Sequence, residues 1–387
     1  MKKRAHVAAA GFAAAALLLA GCDDGQVKAA GASPTTTTTE PAVTPSGAIG
    51  GYQPVSDVAQ HARISLDVCE IHRLLDARPV DFGAVATLYR QGRHSDESEG
   101  VKRTLGKFAG ESRAAEDTLG RYERYLGAGW LNAFVGDAID GAGAFAGASE
   151  AVRREAVRIG VRDQIMVAWA FHELDAAATK AAKGSFTRKS GAPHNWDEVV
   201  AYYHGDKPEC SPFSTVQARG EEFGIGTLLN RRISLNFRDG LKALVGKSAL
   251  GATAPREQIV RDITIAYLQS AISSAAAVDA ALAQGKADEA RLAQASGWAY
   301  YRVVEPLVAA ANTTSARAVG GVFDLSSQPA AGSAAKVTSA LAAAYGPLGI
   351  SPDEVGQLPG GPGDKAGTPD EAGADEEPED GEPEDGE

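Results

Sequence analysis

The stretch from Arg154 to Asp175 reads REAVRIGVRDQIMVAWAFHELD, and it decides the fold class. Its apolar residues recur with helical spacing, and the run from Ile165 to Phe171 is apolar nearly all round, which predicts a buried helix. Nowhere does the chain sustain the alternation of apolar and polar residues that is typical of a strand. We therefore expect an all-α fold.

Alanine-rich segments with the same spacing continue on both sides of this stretch. They favour one multi-helix domain over residues 55–350, a length that can bury a large core. The periodicity predicts helices over 57–77, 81–91, 99–109, 113–127, 130–139, 149–183, 196–204, 213–223, 230–245, 255–284, 286–311 and 333–344.

Two long stretches resemble each other and indicate an internal repeat. The first opens at Arg154–Ala156 and closes at Ala201–Tyr203, and the second opens at Arg256–Gln258 and closes at Ala299–Tyr301. We interpret them as repeated antiparallel helical hairpins, with chance similarity in an alanine-rich chain as the alternative. Because the first unit carries carboxylates that the second lacks near Trp298, the asymmetry points to a site in the first unit.

The N-terminal residues 1–22 predict a lipoprotein signal peptide. Three basic residues, Lys2 to Arg4, precede a short apolar run that ends in Leu19-Ala20-Gly21-Cys22. This ending resembles the bacterial lipobox, in which Cys22 is lipidated and becomes the first residue. We expect an anchor in the cell envelope, on the periplasmic or cell-surface side, with an ordinary secretory signal as the alternative.

Flexible segments are predicted on both sides of the helical domain. Residues 23–54 are rich in Thr, Pro, Ala and Gly, which favours a disordered tether. Residues 351–387 predict a disordered acidic tail, since 359–387 hold twelve acidic residues and one lysine. The net charge of −12 therefore describes the tail, and no basic patch indicates nucleic-acid binding.

Cys69 and Cys210 are the two cysteines that follow Cys22. Outside the cytoplasm such a pair can form a disulfide, which would stabilise the fold by roughly 3–5 kcal/mol in the chain-entropy model. Two separate buried thiols are the alternative. Without a CxxC motif, a thiolate metal site is not expected.

The sequence His172-Glu173-Leu174-Asp175 places charged groups at the end of the apolar helix. Ionised carboxylates in such a place are costly unless they are paired or bind a cation. Salt bridges to Arg158, Arg162 or Lys180 are the plain interpretation. Because Ala176 stands where a second histidine would be needed, the HExxH zinc-protease motif is absent.

A second polar group runs from His194 through Asp197 and Glu198 to Tyr202. Carboxylate and phenolate oxygens are hard donors that suit Fe(III), Mn(II) or Ca(II). The alternative is structural: Asn195 would cap a helix, with Glu198 reaching back as in a capping box.

These strings resemble the iron-assimilation (FEA) family of extracellular and exported proteins. The resemblance also rests on Leu88-Tyr89-Arg90-Gln91-Gly92, on Arg219-Gly220-Glu221-Glu222-Phe223-Gly224 and on Gly297-Trp298-Ala299-Tyr300-Tyr301-Arg302. It covers about residues 55–350 and implies a helical, extracytoplasmic iron-binding protein for uptake. Related algal proteins imply ferric binding with a carbonate anion. The lipid anchor and the acidic tail depart from the family.

Since the resemblance supplies no ligand list, the ligand set is our inference. The carrier would bind Fe³⁺, lose affinity on acidification because protons compete for the ligands, and pass iron to a membrane permease without catalysing a reaction. Tyr89 and Tyr301 are second choices as ligands. The expected metal ligands are Glu70, His172, Glu173, Asp197, Glu198 and Tyr202, and the expected carbonate-binding groups are Arg90, Arg231 and Arg232.

Two other functions remain open. One is an exported metal-dependent hydrolase or an imelysin-like protein, although the GxHxxE motif is missing around His172. The other is a structural or adhesion lipoprotein, in which the carboxylates serve as helix caps and salt bridges.

Overall fold

A computed structural model describes residues 43–114 and 117–360. The predicted signal peptide with Cys22, most of the predicted tether and the acidic residues from 361 onward lie outside the described residues.

The described part of the chain is built from helices and one small hairpin of strands. Three 3₁₀ helices (Gly143–Phe145, Pro208–Cys210 and Leu250–Ala252) and a π-helical segment (Gly160–Ile165) accompany them. In chain order the elements are α1 (Ala59–Ala62), α2 (Ile64–Leu75), α3 (Phe82–Gln91), β1 (Asp96–Ser98), β2 (Val101–Lys102), α4 (Leu105–Gly110), α5 (Thr118–Leu126), α6 (Trp130–Asp140), α7 (Glu150–Ile159), α8 (Met166–Ala182), α9 (Ala192–His204), α10 (Pro212–Glu222), α11 (Leu228–Val245), α12 (Thr253–Ala283), α13 (Ala287–Tyr301), α14 (Glu305–Ala311), α15 (Thr313–Phe323), α16 (Ser333–Tyr345) and α17 (Pro352–Val355).

The all-α prediction is confirmed, with local differences. The predicted helix 99–109 is replaced by the antiparallel strands β1 and β2 followed by α4, whose first turn is capped by the Thr104 side chain. The predicted helix 286–311 divides into α13 and α14, and Pro306 lies in the first turn of α14. Helix α15, which Asn312 caps, was not predicted.

Two helical hairpins form the centre of the fold. Helix α8 packs along α9, and α12 packs along α13, more extensively than any other pairs in the described part of the chain. By length and composition, Leu250–Ala283 could cross a membrane, but about two thirds of its most apolar window is buried inside the protein. It therefore packs as the central core helix.

A buried ion pair in the π-helical segment connects the two hairpins. The Asp163 carboxylate is fully buried and accepts hydrogen bonds from Thr215 (2.7 Å) and from Tyr267 of α12 (2.8 Å). Arg162 lies 2.9 Å from the same carboxylate and donates to the Tyr300 hydroxyl. Since each charged group is paired, the network holds the two hairpins together at a tolerable desolvation cost.

The folded body extends further than predicted at both ends. The predicted tether ran to residue 54, yet residues 46–58, here called the N-terminal strap, pack on the body, and the Tyr52 ring is 4% exposed. The predicted acidic tail began at residue 351, yet α17 packs on α12, where Gln269 donates to the Val355 carbonyl (2.6 Å). Buried apolar side chains, Tyr52 in the strap and Val355 in α17, set the two boundaries of the folded body. The composition of the flanking segments alone did not reveal these boundaries.

Cys69 of α2 and Cys210 of the 3₁₀ helix before α10 form a disulfide with a Cα–Cα distance of 5.3 Å. The bond joins the N-terminal helices to the segment that follows α9.

Candidate metal centre

Helices α1, α8 and α9 bring polar side chains together beside the middle of the α8–α9 hairpin. Helix α9 begins at Ala192, four residues before the predicted start at 196, with Gly191 as its N-cap residue and Pro193 in its first turn. Asn195 is therefore not the cap that the sequence suggested. Because of the earlier start, His194 and Glu198 lie one helical turn apart on the same face.

Glu198 is the centre of the cluster. Its Oε1 atom lies 2.9 Å from Nε2 of His61 and 3.0 Å from Nε2 of His194. The two imidazole rings are nearly perpendicular, with their centroids 5.9 Å apart. The imidazole nitrogens of the two histidines and a carboxylate oxygen of Glu198 all lie within 4.8 Å of one another. Among the described residues, this is the group of His, Cys, Asp or Glu side chains that comes close enough to share one metal ion.

The geometry fits a metal ion. Neighbouring ligands of an octahedral ion with bonds of about 2.1 Å lie about 3 Å apart, as Glu198 does from each histidine. Two histidines and a carboxylate are a recognised donor set for iron. Nδ1 of both rings is buried without a hydrogen-bond partner among the described residues. Because an ion bound at Nε2 does not reach Nδ1, this feature does not distinguish a metal centre from a structural cluster.

A second carboxylate, Glu173 of α8, completes the acidic side of the centre. Asn195 donates from Nδ2 to Glu173 (2.6 Å) and to Glu198 (3.1 Å), and its Oδ1 accepts from Lys180 (2.6 Å). Burial, and then the neighbouring Glu198, raise the pKa of Glu173 well above its usual value. Burial acts the same way on Glu198, but hydrogen bonds from His194 and His61 outweigh it and hold its pKa well below the usual value.

Tyr202 lies beside the cluster, one turn after Glu198 on α9. Its ring centroid is 5.8 Å from that of His61, and its face stacks on Trp169 at 4.4 Å. Burial, followed by the charges of Glu198 and Glu173, raises the pKa of Tyr202 well above its usual value. The hydroxyl is therefore protonated beside two carboxylates. A cation bound nearby would favour the ionised phenolate, whose oxygen could then act as a ligand.

Arg103 supplies the positive charge nearest to the centre. Its guanidinium lies 3.0 Å from Nε2 of His61 and donates to Ser95 Oγ (3.1 Å) and to the Asp96 carbonyl (3.0 Å). A guanidinium has donors only, so Nε2 of His61 can either accept from Arg103 or donate to Glu198, but not both at once. Arg103 and Glu173 also line a cavity of about 180 Å³ beside the cluster.

The structure divides the predicted ligand set. Glu173, Glu198 and Tyr202 lie at the centre, whereas Glu70, His172 and Asp197 each belong to a different group of contacts. Glu70 pairs with Arg93 and, at 2.9 Å, with His94. His172 lies at the cavity wall, and its Nδ1 is 2.6 Å from Asp117.

Asp197 is the clearest correction, because its carboxylate points away from the centre. It accepts hydrogen bonds from the Tyr52 hydroxyl (2.5 Å) and from the backbone N–H groups of Val55 and Ser56 (2.9 Å each). Helical geometry places neighbouring residues on different faces, so Asp197 holds the strap while Glu198 faces the histidines.

None of the three arginines predicted to bind an anion reaches the centre. Arg90 pairs with Asp140 on the surface, Arg231 is exposed on α11, and Arg232 pairs with Asp262 and with Glu354. The tyrosines named as second choices are also elsewhere: the Tyr89 hydroxyl donates to Asn132 (3.0 Å), and Tyr301 is buried against α15.

Sequence reasoning missed His61 and Arg103. His61 lies more than a hundred residues before His194, inside a segment whose periodicity indicated an ordinary helix. Arg103 follows a strand hairpin in a segment that was predicted to be helical. Neither residue belongs to a local motif, and only a survey of all seven histidines for partners could have drawn attention to His61.

A comparison of the chain with protein families now bears on this centre. The family model Fea1, described as a low iron-inducible periplasmic protein, matches residues 25–367. The chain belongs to the Fea1 family. The resemblance inferred from the sequence is confirmed, and the family description gives an iron-related role in the periplasm. Among curated proteins and solved structures, no match was found.

The Fea1 match extends over all the elements that build the cluster, from the strap to α9. The donors of His61, His194, Glu198 and Glu173 are of a kind that iron accepts, so the chemistry of the centre agrees with the description of the family.

Proposed function

We propose that this Fea1 protein captures iron outside the cytoplasm, at a centre formed by His61, His194, Glu198 and Glu173. The observation that carries the proposal is the convergence of two imidazole nitrogens on one buried carboxylate oxygen, at 2.9 and 3.0 Å. Three helices supply these groups: His61 comes from α1, Glu173 from α8, and the other two from α9. A cation between the donors would offset the cost of burying two carboxylates next to each other.

Ferric iron is the proposed cargo, with Tyr202 as a further oxygen donor. The charge of Fe³⁺ favours hard carboxylate and phenolate oxygens, and two carboxylates with one phenol lie at the centre. Arg103 could hold a carbonate next to the ion, because its planar guanidinium matches a planar anion. The same donors also accept Fe²⁺, so both oxidation states belong in the test.

We propose that the protein carries iron and does not catalyse a reaction. The supporting observation is the donor set: His61, His194 and Glu198 offer ligand atoms within 4.8 Å of one another, and Asn195 holds Glu173 beside Glu198. The cavity beside the centre, of about 180 Å³, has room for water or a small anion. Turnover of a peptide or an ester by the iron-loaded protein would contradict this and favour a metal-dependent hydrolase.

The proposed setting is the cell envelope. Lipidation of Cys22 would tether the body to a membrane, and iron released there would pass to an iron permease. Metabolic labelling with a palmitate analogue tests the anchor: the wild-type protein should carry the label, and the Cys22→Ala variant should not.

Isothermal titration with Fe(III)-citrate, with and without bicarbonate, tests the iron centre. We expect one ion per chain in the wild-type protein and a loss of binding of at least about tenfold in His61→Ala, His194→Ala and Glu198→Gln. His94→Ala is the matched control, because His94 also lies 2.9 Å from a glutamate, Glu70, outside the centre. This variant should bind iron like the wild-type protein.

The structural alternative makes the opposite prediction. If the cluster only stabilises the fold, the wild-type protein gives no heat with Fe(III) or Fe(II), and the three variants differ from it in melting temperature alone. That outcome would overturn the proposed function.

A further inference from the structure

The outer face of α11 carries an exposed stripe of basic and apolar residues. Arg231, Leu235, Arg238, Lys242 and Val245 follow each other at intervals of three and four residues, which places them on one side of the helix. All five are exposed, and Leu235 and Val245 are exposed by 54% and 39%. The opposite side, with Ile233 and Phe237 among others, is buried in the core.

The loop after α11 continues the stripe. Lys247 has a positive φ of 59°, and the chain then turns so that Leu250 is 85% exposed. Five large apolar side chains are exposed in the described part of the molecule, and three of them are Leu235, Val245 and Leu250. Such a concentration on one side is unusual for a solvated surface and is typical of an interaction site.

The end of α8 lies beside this loop. Alanines of α8, Leu244 of α11 and Leu250 line an apolar groove of about 390 Å³ between the two elements. Lys183 ends α8, and Lys189 is exposed in the turn that Lys180 holds through a 2.8 Å hydrogen bond to the Ser190 carbonyl. The groove is therefore flanked by lysines on the α8 side and on the α11 side.

The cations of this surface form no ion pairs with carboxylates of the described residues. Over residues 43–114 and 117–360, no carboxylate lies within 4.0 Å of the charged atoms of these residues, although Asp239 shares the outer side of α11. The cations without such a partner are Lys183, Lys189, Arg231, Arg238, Lys242 and Lys247.

We propose that this basic–apolar face, formed by the outer side of α11, the loop to Leu250 and the end of α8, docks on an anionic lipid surface. Lysines and arginines bind lipid phosphates, while exposed leucine and valine side chains enter the boundary between headgroups and acyl chains. The long lysine stems let the charges stay at the headgroups while the apolar residues go deeper.

The chain contains another partner for the positive charge, its own acidic tail. From residue 364 onward, however, the tail has no apolar side chain larger than alanine except three prolines. It could neutralise lysines but could not cover Leu250 or fill the apolar groove. A lipid surface offers both negative charge and apolar depth, so it fits the whole face. This inference does not depend on iron binding, because none of the centre's ligands belongs to the face.

Vesicle co-sedimentation tests the proposal without help from the anchor. The mature chain from residue 22, carrying Cys22→Ala, is mixed with vesicles of phosphatidylcholine alone or with added phosphatidylglycerol. We expect it to sediment with the phosphatidylglycerol vesicles and to dissociate as salt is raised. The double variant Lys242→Glu/Lys247→Glu should bind more weakly by roughly tenfold or more.

A second variant tests the apolar part. Leu250→Ser with Val245→Ser should weaken binding at high salt, where screening removes most of the charge contribution. Lys336→Glu and Val101→Ser are the matched controls, since both residues are exposed and lie on other elements. Circular dichroism melts should show that all variants remain folded.

Two outcomes would overturn the proposal. In one, the chain ignores phosphatidylglycerol, or the Lys242→Glu/Lys247→Glu variant binds as tightly as its parent. In the other, the chain fails to sediment and a zero-length carbodiimide crosslinks Lys242 or Lys247 to tail carboxylates, which would assign the face to the tail.

Discussion

The positive charge of Arg103 lies beside the site proposed for the metal ion. Its guanidinium contacts Nε2 of His61, the atom that also faces Glu198, so the arginine adds positive charge beside the cluster. An ion bound at this nitrogen would have to displace the arginine side chain. The displaced guanidinium remains on the wall of the cavity, where it could hold an anion.

We therefore predict opposite effects of Arg103→Met under two conditions. Without bicarbonate, Fe(II) binding should become tighter by about tenfold or more, because a competing charge a few ångströms away is removed. With Fe(III), the gain in affinity that bicarbonate gives the wild-type protein should disappear. Titration calorimetry measures both effects.

Arg113→Met is the control for this pair of effects. Arg113 lines the same cavity but pairs with Glu111 at 3.0 Å and packs over the Phe108 ring. Its replacement should leave both affinities within about twofold of wild type. Weaker Fe(II) binding in Arg103→Met would show that the arginine supports the centre and does not compete with the metal.

At this scale the sequence indicates only part of the centre. Glu173, Glu198 and Tyr202 were predicted because a carboxylate after an apolar run and a carboxylate–tyrosine pair four residues apart are local patterns. His61 and Arg103 arrive through tertiary contacts, for which a single sequence holds no local signal. Asp197 was misassigned because neighbouring helical residues lie on different faces, and the contacts of its carboxylate with the strap have no local sequence signal.

At the scale of elements, the strap is held mainly by one side chain. Asp197 receives three hydrogen bonds from the strap, and Gly50 allows the turn to approach α9 closely. Its φ is +54°, and a Cβ there would lie 2.2 Å from the His204 ring. Helix α1 with His61 follows directly, so the strap positions one of the proposed metal ligands.

Removing one of these hydrogen bonds should lower the free energy of unfolding. We predict that Tyr52→Phe destabilises the protein by about 1.5–3 kcal/mol, the range for a hydrogen bond to a charged group. Urea unfolding measures the change. Tyr125→Phe is the control, because its exposed hydroxyl is 3.4 Å from Glu305 and its loss should matter by less than about 0.5 kcal/mol.

The contact between α9 and α11 depends on a glycine. A Cβ on Gly240 would lie 1.9 Å from the Trp196 ring, whose Nε1 donates to the Phe237 carbonyl (2.8 Å). Gly240→Ala should therefore destabilise the protein by about 1–3 kcal/mol or more through overpacking. Gly321→Ala, in a helix with no atom near its Cβ, should instead stabilise by up to about 1 kcal/mol. Equal shifts in melting temperature for the two variants would contradict this account.

Helical periodicity predicted most of the elements because the core imposes one apolar face on each helix. It indicated the two hairpins, because the two similar stretches both close in tyrosines. These residues, Tyr203 and Tyr301, are buried near the ends of the second helices of the hairpins. It failed at 99–109, where the turn at Gly100 and the cap at Thr104 determine the local structure. Amphipathic spacing does not register such local hydrogen bonds.

At the scale of the whole molecule, two buried or paired groups make stability depend on pH. Burial lowers the pKa of His72 to about 3, and ion pairs with Arg261 outweigh burial to lower the pKa of Glu354 to about 2. Both groups bind protons more readily in the unfolded chain, with pKa values of 6.5 and 4.5. The stability from His72 is therefore complete above about pH 6.5 and is lost as the pH falls toward 3. The contribution of Glu354 is lost between about 4.5 and 2.

These windows allow the two contributions to be separated. Between pH 6.5 and 4.5, His72 should lower the free energy of unfolding of the wild-type protein by up to about 1.4 kcal/mol for each unit that the pH falls. The His72→Gln variant should have a smaller slope, and its amide keeps an N–H donor for the Arg158 carbonyl. Glu354→Gln should be less stable at neutral pH, because it loses its arginine partners, yet less sensitive to acid below about pH 4.5. Urea midpoints measured across pH 3–8 in all three proteins test both statements. If His72→Gln followed the wild-type slope throughout, the acid sensitivity would have to come from other groups, and the buried imidazole would not be the neutral side chain that its contacts require.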